Sequence, residues 1–178
     1  MARPRILVTP RSATKAGHPS LQRLEKAGFE VVFCAPGQQP SQAELLGLLP
    51  GCVGYLAGVE PVTAPVLEAA RGLRVISRNG TGIDNVDADA AQRLGIAVRN
   101  TPGANGGGVA ELAVGLMFAL ARAIPAGDRT LKEGRWDRPR GIELKGRLLG
   151  VVGCGQIGRR VAEMAAGIGM RVAGYDVV

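Results

Sequence analysis

Leu148-Leu149-Gly150-Val151-Val152-Gly153-Cys154-Gly155-Gln156-Ile157-Gly158 is an apolar run that passes straight into three glycines spaced G-x-G-x-x-G. Helix-forming residues follow from Arg159 to Ala166 (RRVAEMAA), then Gly169, then a second apolar run from Met170 to Tyr175 (MRVAGY), closed by Asp176. The pattern predicts strand, tight turn, helix and strand. Gly153 permits the tight turn out of the first strand. Gly155 lacks a Cβ and lets a bulky anionic group approach the backbone, and Gly158 lets helix and strand pack closely. The helix N-terminus offers free N–H groups and a partial positive charge, which suits a phosphate.

G-x-G-x-x-G alone is a weak signal. Here it follows a strand, opens a helix and precedes an acid at the end of the next strand, which is the context of a Rossmann dinucleotide unit. A carboxylate at Asp176 would accept hydrogen bonds from the adenine ribose hydroxyls and repel a 2′-phosphate, so NAD is favoured over NADP. Gln156 and Ile157 open the helix beside that site. The competing reading is a glycine-rich turn in an α/β domain that binds nothing.

Upstream, apolar runs at Ile6 to Thr9, Phe29 to Cys34, Cys52 to Ala57, Leu73 to Ser77 and Ile96 to Arg99 read as strands. Helices are expected between them. One runs from Leu21 to Ala27, one from Ser41 to about Leu49 with Glu44 at the capping-box position, one from Thr63 to about Arg71, and one capped by Asp87. This alternation predicts an α/β domain over residues 1–100, with a flavodoxin-like parallel sheet. Asn100 to Gly108 (NTPGANGGG) reads as loop, and Val109 to Ala123 as a long helix buried on more than one side and ended by Pro125. Residues 126–146 are polar and read as a helix fragment and an exposed arm. Residues 101–178 thus hold a linker helix, the arm and the first part of the Rossmann domain.

A second glycine cluster, Ser77-Arg78-Asn79-Gly80-Thr81-Gly82-Ile83-Asp84-Asn85-Val86-Asp87, leaves the C-terminal end of a strand. Ligands of open α/β sheets bind at that edge, and consecutive N–H groups there can cradle a carboxylate. A tight turn leading into the Asp87 cap explains the same residues without a ligand.

Bulk properties narrow the class. Hydrophobic residues make up 46% and aromatics only 3% of the 178 residues, so the core must be aliphatic. The net charge of +7 comes from scattered basic residues with no clustered stripe, which argues against nucleic acid and fits small anionic ligands better. Cys34, Cys52 and Cys154 have neither disulfide nor zinc spacing, and no metal site is expected. No apolar run suits a signal peptide or a membrane span, so a cytoplasmic location is expected.

The stretch Arg78 to Asp87, NTPGAN at 100–105, VAEL at 109–112 and the G-x-G-x-x-G together resemble the D-isomer-specific 2-hydroxyacid dehydrogenases, the phosphoglycerate dehydrogenase-like branch in particular. The resemblance is dense from Leu73 to Asp176 and looser before it. It implies a flavodoxin-like substrate domain, a Rossmann domain for NAD, an active site between them, and a homodimer contact through residues 109–146. Asn79 and Gly80 match backbone donors to the carboxylate of a small 2-hydroxy or 2-oxo acid. Thr81 matches a residue near the nicotinamide, Gln156 and Ile157 the backbone donors to the pyrophosphate, and Asp176 the ribose acid. Arg78 lies in the substrate loop, where a structural arginine is an equal alternative. Glu111 reads as a residue favoured by the helix dipole.

Two departures stand out. Phosphoglycerate enzymes carry an Arg-Ser pair after the third strand, where this chain has Ala57 and Gly58, which opens the substrate to a different 2-hydroxy acid. The family's catalytic Arg, Glu and His match no position here, and His18, the only histidine, reads as an exposed loop residue. The sequence therefore reads as a truncated N-terminal portion of such an enzyme, without turnover by itself. Two other readings are a non-catalytic module that binds NAD or a partner, and a structural fragment with no ligand.

Overall fold

A computed structural model describes residues 2–177, which form two compact units that meet in sequence between Pro102 and Gly103. The first unit runs β1 (Arg5–Val8), α1 (Arg11–Ala16), α2 (Leu21–Lys26), β2 (Glu30–Phe33), α3 (Gln42–Leu48), β3 (Cys52–Ala57), α4 (Ala64–Ala69), β4 (Val75–Arg78), α5 (Ala88–Arg93) and β5 (Ala97–Arg99). Its five strands pair in the order β2-β1-β3-β4-β5, all parallel, which is the flavodoxin-like order expected. The chain reverses its direction of winding between β1 and β3, and loops at their C-terminal ends flank a natural crevice.

Register decides where the core sits. Leu7 lies beside Tyr55, Tyr55 beside Ile76 and Ile76 beside Val98. This row is covered by Leu45 and Leu49, by Val66 and Leu67 of α4, and by Ala90 and Ala91 of α5. Small alanines at 90 and 91 let α5 approach the sheet. The opposite row, Ile6, Val75 and Ala97, stays half-buried or exposed. Area removed from water scales at about 25 cal/mol per Å², so the covered row contributes more to this unit's stability than that exposed row.

The helix caps show which local signals were complete. Ser41 Oγ accepts from Glu44 N at 3.3 Å while Glu44 Oε2 accepts from Ser41 N at 2.8 Å, a reciprocal capping box. Donation to the carboxylate from Ser41 N, and from Ser41 Oγ at 2.8 Å, holds the Glu44 carboxyl below its ordinary value. Asp87 Oδ1 accepts from Ala90 N at 2.9 Å, as expected. Thr63 does not act as a cap through its side chain, because its Oγ1 is buried without a partner. Pro65 in the first turn has no N–H to satisfy, which lightens the need for one. Helix α1 has no counterpart in the sequence reading. It follows Pro10, is one turn and a half long, and buries only Ala13, so it carries no apolar period to read.

The second unit comprises α6 (Gly106–Ala121), α7 (Ile124–Lys132), β6 (Leu148–Val152), α8 (Gln156–Gly167) and β7 (Arg171–Tyr175). Strands β6 and β7 pair in parallel, and α8 packs on both and on α6. Helix α6 starts at Gly106, inside the stretch expected to be loop. The Arg160 side chain lies over its first turn, and a Cβ at Gly107 would come within 3.0 Å of Arg160 Nη1. Packing against α8 thus carries a helix start made of glycines despite their poor propensity. Pro125 does not end this helix. The break lies at Arg122 and Ala123, the latter left-handed at φ 51°, and Pro125 sits in the first turn of α7. No single helix among the described residues is long and apolar enough to cross a membrane, though α6 and α7 pass that test as a pair bent by 63°.

The expectation that α6 is buried on several sides is also corrected. Gly106 and Ala110 are buried, whereas Leu112, Leu116 and Leu120 are 63, 54 and 81% exposed. The residues at i, i+4 and i+8 form one apolar stripe that nothing in this unit covers.

Candidate functional site

The glycine-rich turn between β6 and α8 has the geometry its spacing implies. Gly153 leaves the strand with φ +92°, a conformation that side chains resist. At Gly158 an added Cβ would fall inside the Gly153 carbonyl oxygen and 3.2 Å from Val151 Cγ1, so close helix–strand packing demands glycine there. At Gly155 nothing lies within 4 Å of an added Cβ, and the backbone is ordinary at φ −69°. The fold does not need glycine at 155; an approaching ligand would.

The rest of the turn is braced. Arg159 Nε donates to Cys154 O at 2.8 Å, and Gly153 N donates to Tyr175 O at 2.8 Å. Gly155 is the N-cap of α8, and no side chain caps the helix. The first-turn N–H groups at Gln156 and Ile157 therefore keep the unsatisfied character of a helix start. The Gln156 side chain folds over Gly103, so position 156 faces the turn with its backbone rather than its amide. Asp176 closes β7 beside the turn. Its Oδ2 accepts from Cys154 N at 2.5 Å and its Oδ1 from Val177 N at 2.8 Å. A carboxylate has about four lone-pair sites, so it can accept from more than two donors at once. Open space at Gly155, an uncapped helix and a carboxylate at the strand end fit a dinucleotide.

The substrate-side loop of the first unit differs from the sequence reading. Asn79 N donates to Ala57 O at 2.8 Å, continuing the β4–β3 ladder, and Gly80 N closes a tight turn on Arg78 O at 2.9 Å. The two amides assigned to a carboxylate are thus engaged internally. Arg78 does not reach outward either. Its Nη1 donates to Asn79 O at 2.7 Å and its guanidinium lies over Gly80, where φ is +150° and a side chain would collide with it. The Nε of Arg78 is buried without a partner. Thr81 O accepts from Asn100 Nδ2 at 2.6 Å, which ties this loop to the end of β5. The Asn79 side chain is an available polar group, since it makes no hydrogen bond among the described residues.

Asn79 borders two cavities at this sheet edge. The larger, about 660 Å³, is lined by Ser12, His18, Leu21, Leu24 and Leu56 among others. His18 is exposed there, as expected, and its Nδ1 accepts from Ser20 N at 3.2 Å. The smaller, about 180 Å³, is lined by Thr9, Arg11, Ser12, Gln39, Gly58 and Glu60 in addition to Asn79.

Glu60 is a residue that sequence reasoning missed. It is only 1% exposed, and its Oε1 accepts from Thr9 Oγ1, from Tyr55 Oη at 2.5 Å and from Gly58 N at 2.8 Å. Asn85 Nδ2 donates to Glu60 O at 2.8 Å and Gly58 O at 3.3 Å. Glu60 thus ties together the loops after β1, β3 and β4. Burial and then the Glu60 charge push the Tyr55 hydroxyl far above its usual range. In sequence, an acid before Pro61 reads as an ordinary loop residue, and its partners are distant, so no local signal marks it. Cys34, nearby, has its thiol raised by burial, with Glu60 adding to the effect. Among the described residues no group of three or more His, Cys, Asp and Glu side chains could hold a metal.

Known proteins resemble this chain in sequence and fold. The model of the D-isomer specific 2-hydroxyacid dehydrogenase catalytic domain matches residues 7–175. A D-3-phosphoglycerate dehydrogenase of Rattus norvegicus is 43% identical over 158 residues, which cover 87% of this chain and 29% of the relative. Among solved structures, the TT0316 protein from Thermus thermophilus superposes with a TM-score of 0.89 at 36% identity, covering 98% of this chain and 56% of that one. The cofactor (NAD+)-bound 3-phosphoglycerate dehydrogenase of Entamoeba histolytica superposes with a TM-score of 0.78 at 32% identity, covering 99% of this chain and 55% of that one. The chain spans 29% of the curated relative and just over half of the solved ones. With almost its whole length matched, the chain belongs to the family of D-isomer specific 2-hydroxyacid dehydrogenases.

Proposed function

We propose that this chain is an N-terminal portion of an NAD-dependent oxidoreductase acting on the CH–OH group of a small anionic 2-hydroxy acid. The observation that carries the reading is the contrast within the glycine turn: Gly158 is required by packing, whereas Gly155 is open and leaves room for a pyrophosphate. The bound nicotinamide would supply hydride chemistry. The chain's own part is to hold the cofactor, through the N–H groups opening α8 and the Asp176 carboxylate, and to border the substrate with Asn79. Thr81 belongs to the loop that would face the nicotinamide. No residue here matches the family's catalytic Arg, Glu and His, so the 178 residues alone are expected to bind without turnover.

The exposed stripe of Leu112, Leu116 and Leu120 supports a homodimer contact through residues 109–146, because an aliphatic face of this kind gains by being covered.

Titration calorimetry with NAD and with NADP tests the cofactor reading. NAD should bind, and NADP at least about tenfold more weakly, because its 2′-phosphate meets Asp176. A folded chain that binds neither would remove the reading.

A further inference from the structure

The small cavity lies at the point where the sheet order β2-β1-β3 reverses, between the loops that leave β1 and β3. Its walls place a buried anion at the base and a cation at the rim. Glu60 is almost wholly inaccessible, and while Oε1 takes three donors, Oε2 makes no hydrogen bond among the described residues. Arg11 is exposed, with Nη2 donating to Gln39 Oε1 at 3.1 Å, so water and salt weaken its field. The buried charge is screened far less.

Gly58 shows that this carboxylate displaces something. A Cβ at residue 58 would come within 2.7 Å of Glu60 Oε2 and 3.4 Å of Pro10 Cα. The acid therefore fills the space in which a side chain at 58 would stand. Ala57, beside it, is fully buried and offers no charge. The cavity is thus closed at its base by a carboxylate oxygen still short of a donor, with Asn79 and Ser12 on its wall.

We infer that Glu60 is a specificity-determining residue. Its Oε2 accepts a hydrogen bond from an uncharged, hydroxyl-bearing substituent of the 2-hydroxy acid and disfavours a phosphate or second carboxylate at that place. The inference rests on the proposed function and narrows its substrate class. A hydroxyl can donate to Glu60 and accept from the rim, satisfying both ends of the cavity, whereas a phosphate dianion would set two like charges together in a poorly screened site.

The test is a titration of the ¹⁵N-labelled chain with D-glycerate and, separately, with D-3-phosphoglycerate, following the Gly58 and Asn79 amide signals. The expected result is at least about tenfold tighter binding of D-glycerate. Glu60→Gln keeps an acceptor for the inner donors but removes the charge, and it should erase most of that preference. Gly58→Ala keeps the charge but pushes the carboxylate aside, and it should lower the preference too, so the test survives if one variant misfolds. Equal or tighter binding of the phosphorylated acid, or a preference unchanged in the folded variants, overturns the inference and leaves the 2-hydroxy acid reading standing. Binding of neither acid at this edge overturns both.

Discussion

The two glycine-rich loops of this chain look alike in sequence and behave in opposite ways. The loop at 77–87 turns its polar groups inward: Asn79 and Gly80 donate to backbone, Arg78 folds over the turn, and the neighbouring Glu60 gathers three donors. The turn at 153–158 leaves the start of α8 uncapped and a space above Gly155. The difference teaches that glycine spacing marks a ligand site only where the fold has no use of its own for the glycine. Gly80 and Gly158 serve packing, and Gly155 does not.

Three substitutions sharpen that contrast. Glu60→Ala should have the largest effect, because it removes the acceptor of the buried Tyr55 hydroxyl and leaves Thr9 Oγ1 and Gly58 N only their longer bonds, to Leu56 O at 3.2 Å and to Thr9 Oγ1 at 3.1 Å. A loss of about 3 kcal/mol is expected, read by chemical denaturation, with hydrogen exchange at Gly58 accelerated and that of the second unit unchanged. An effect near zero would mean the inward-facing cluster contributes nothing to stability. Gly158→Ala comes next. Its methyl group must displace the Gly153 carbonyl, for about 1–3 kcal/mol of overpacking, confined to exchange rates in β6 and α8. Asp87→Ala removes one cap from a short helix and should lose about 1 kcal/mol in the same denaturation experiment.

Legibility in the sequence followed the range of the interactions. The strand Cys52–Ala57 and the βαβ unit at 148–175 were readable because apolar runs and glycine spacing are local. So was the Ser41 capping box, whose two partners are three residues apart. What escaped depends on distant partners. Glycines 106–108 read as loop until Arg160 packs over the helix start, and Glu60 reads as a loop acid until the β1 and β3 strand ends bring Thr9 and Tyr55 to it. The engaged amides of Asn79 and Gly80 belong to the same class, since the ladder to Ala57 exists only once β3 and β4 pair.

On the proposed function, the 153–158 turn is kept open for NAD. Thermal melting of the chain and of Gly155→Ala, each with and without NAD, tests it most directly, because position 155 tolerates a side chain structurally. The two free proteins should melt within about 1 kcal/mol of each other, the variant lower, because alanine is a poorer N-cap than glycine. An NAD-dependent stabilisation of about 2.7 kcal/mol at a hundredfold excess over Kd is expected for the parent chain and should be lost in the variant. The same NAD-dependent rise in both proteins, or none in the parent chain, would contradict it.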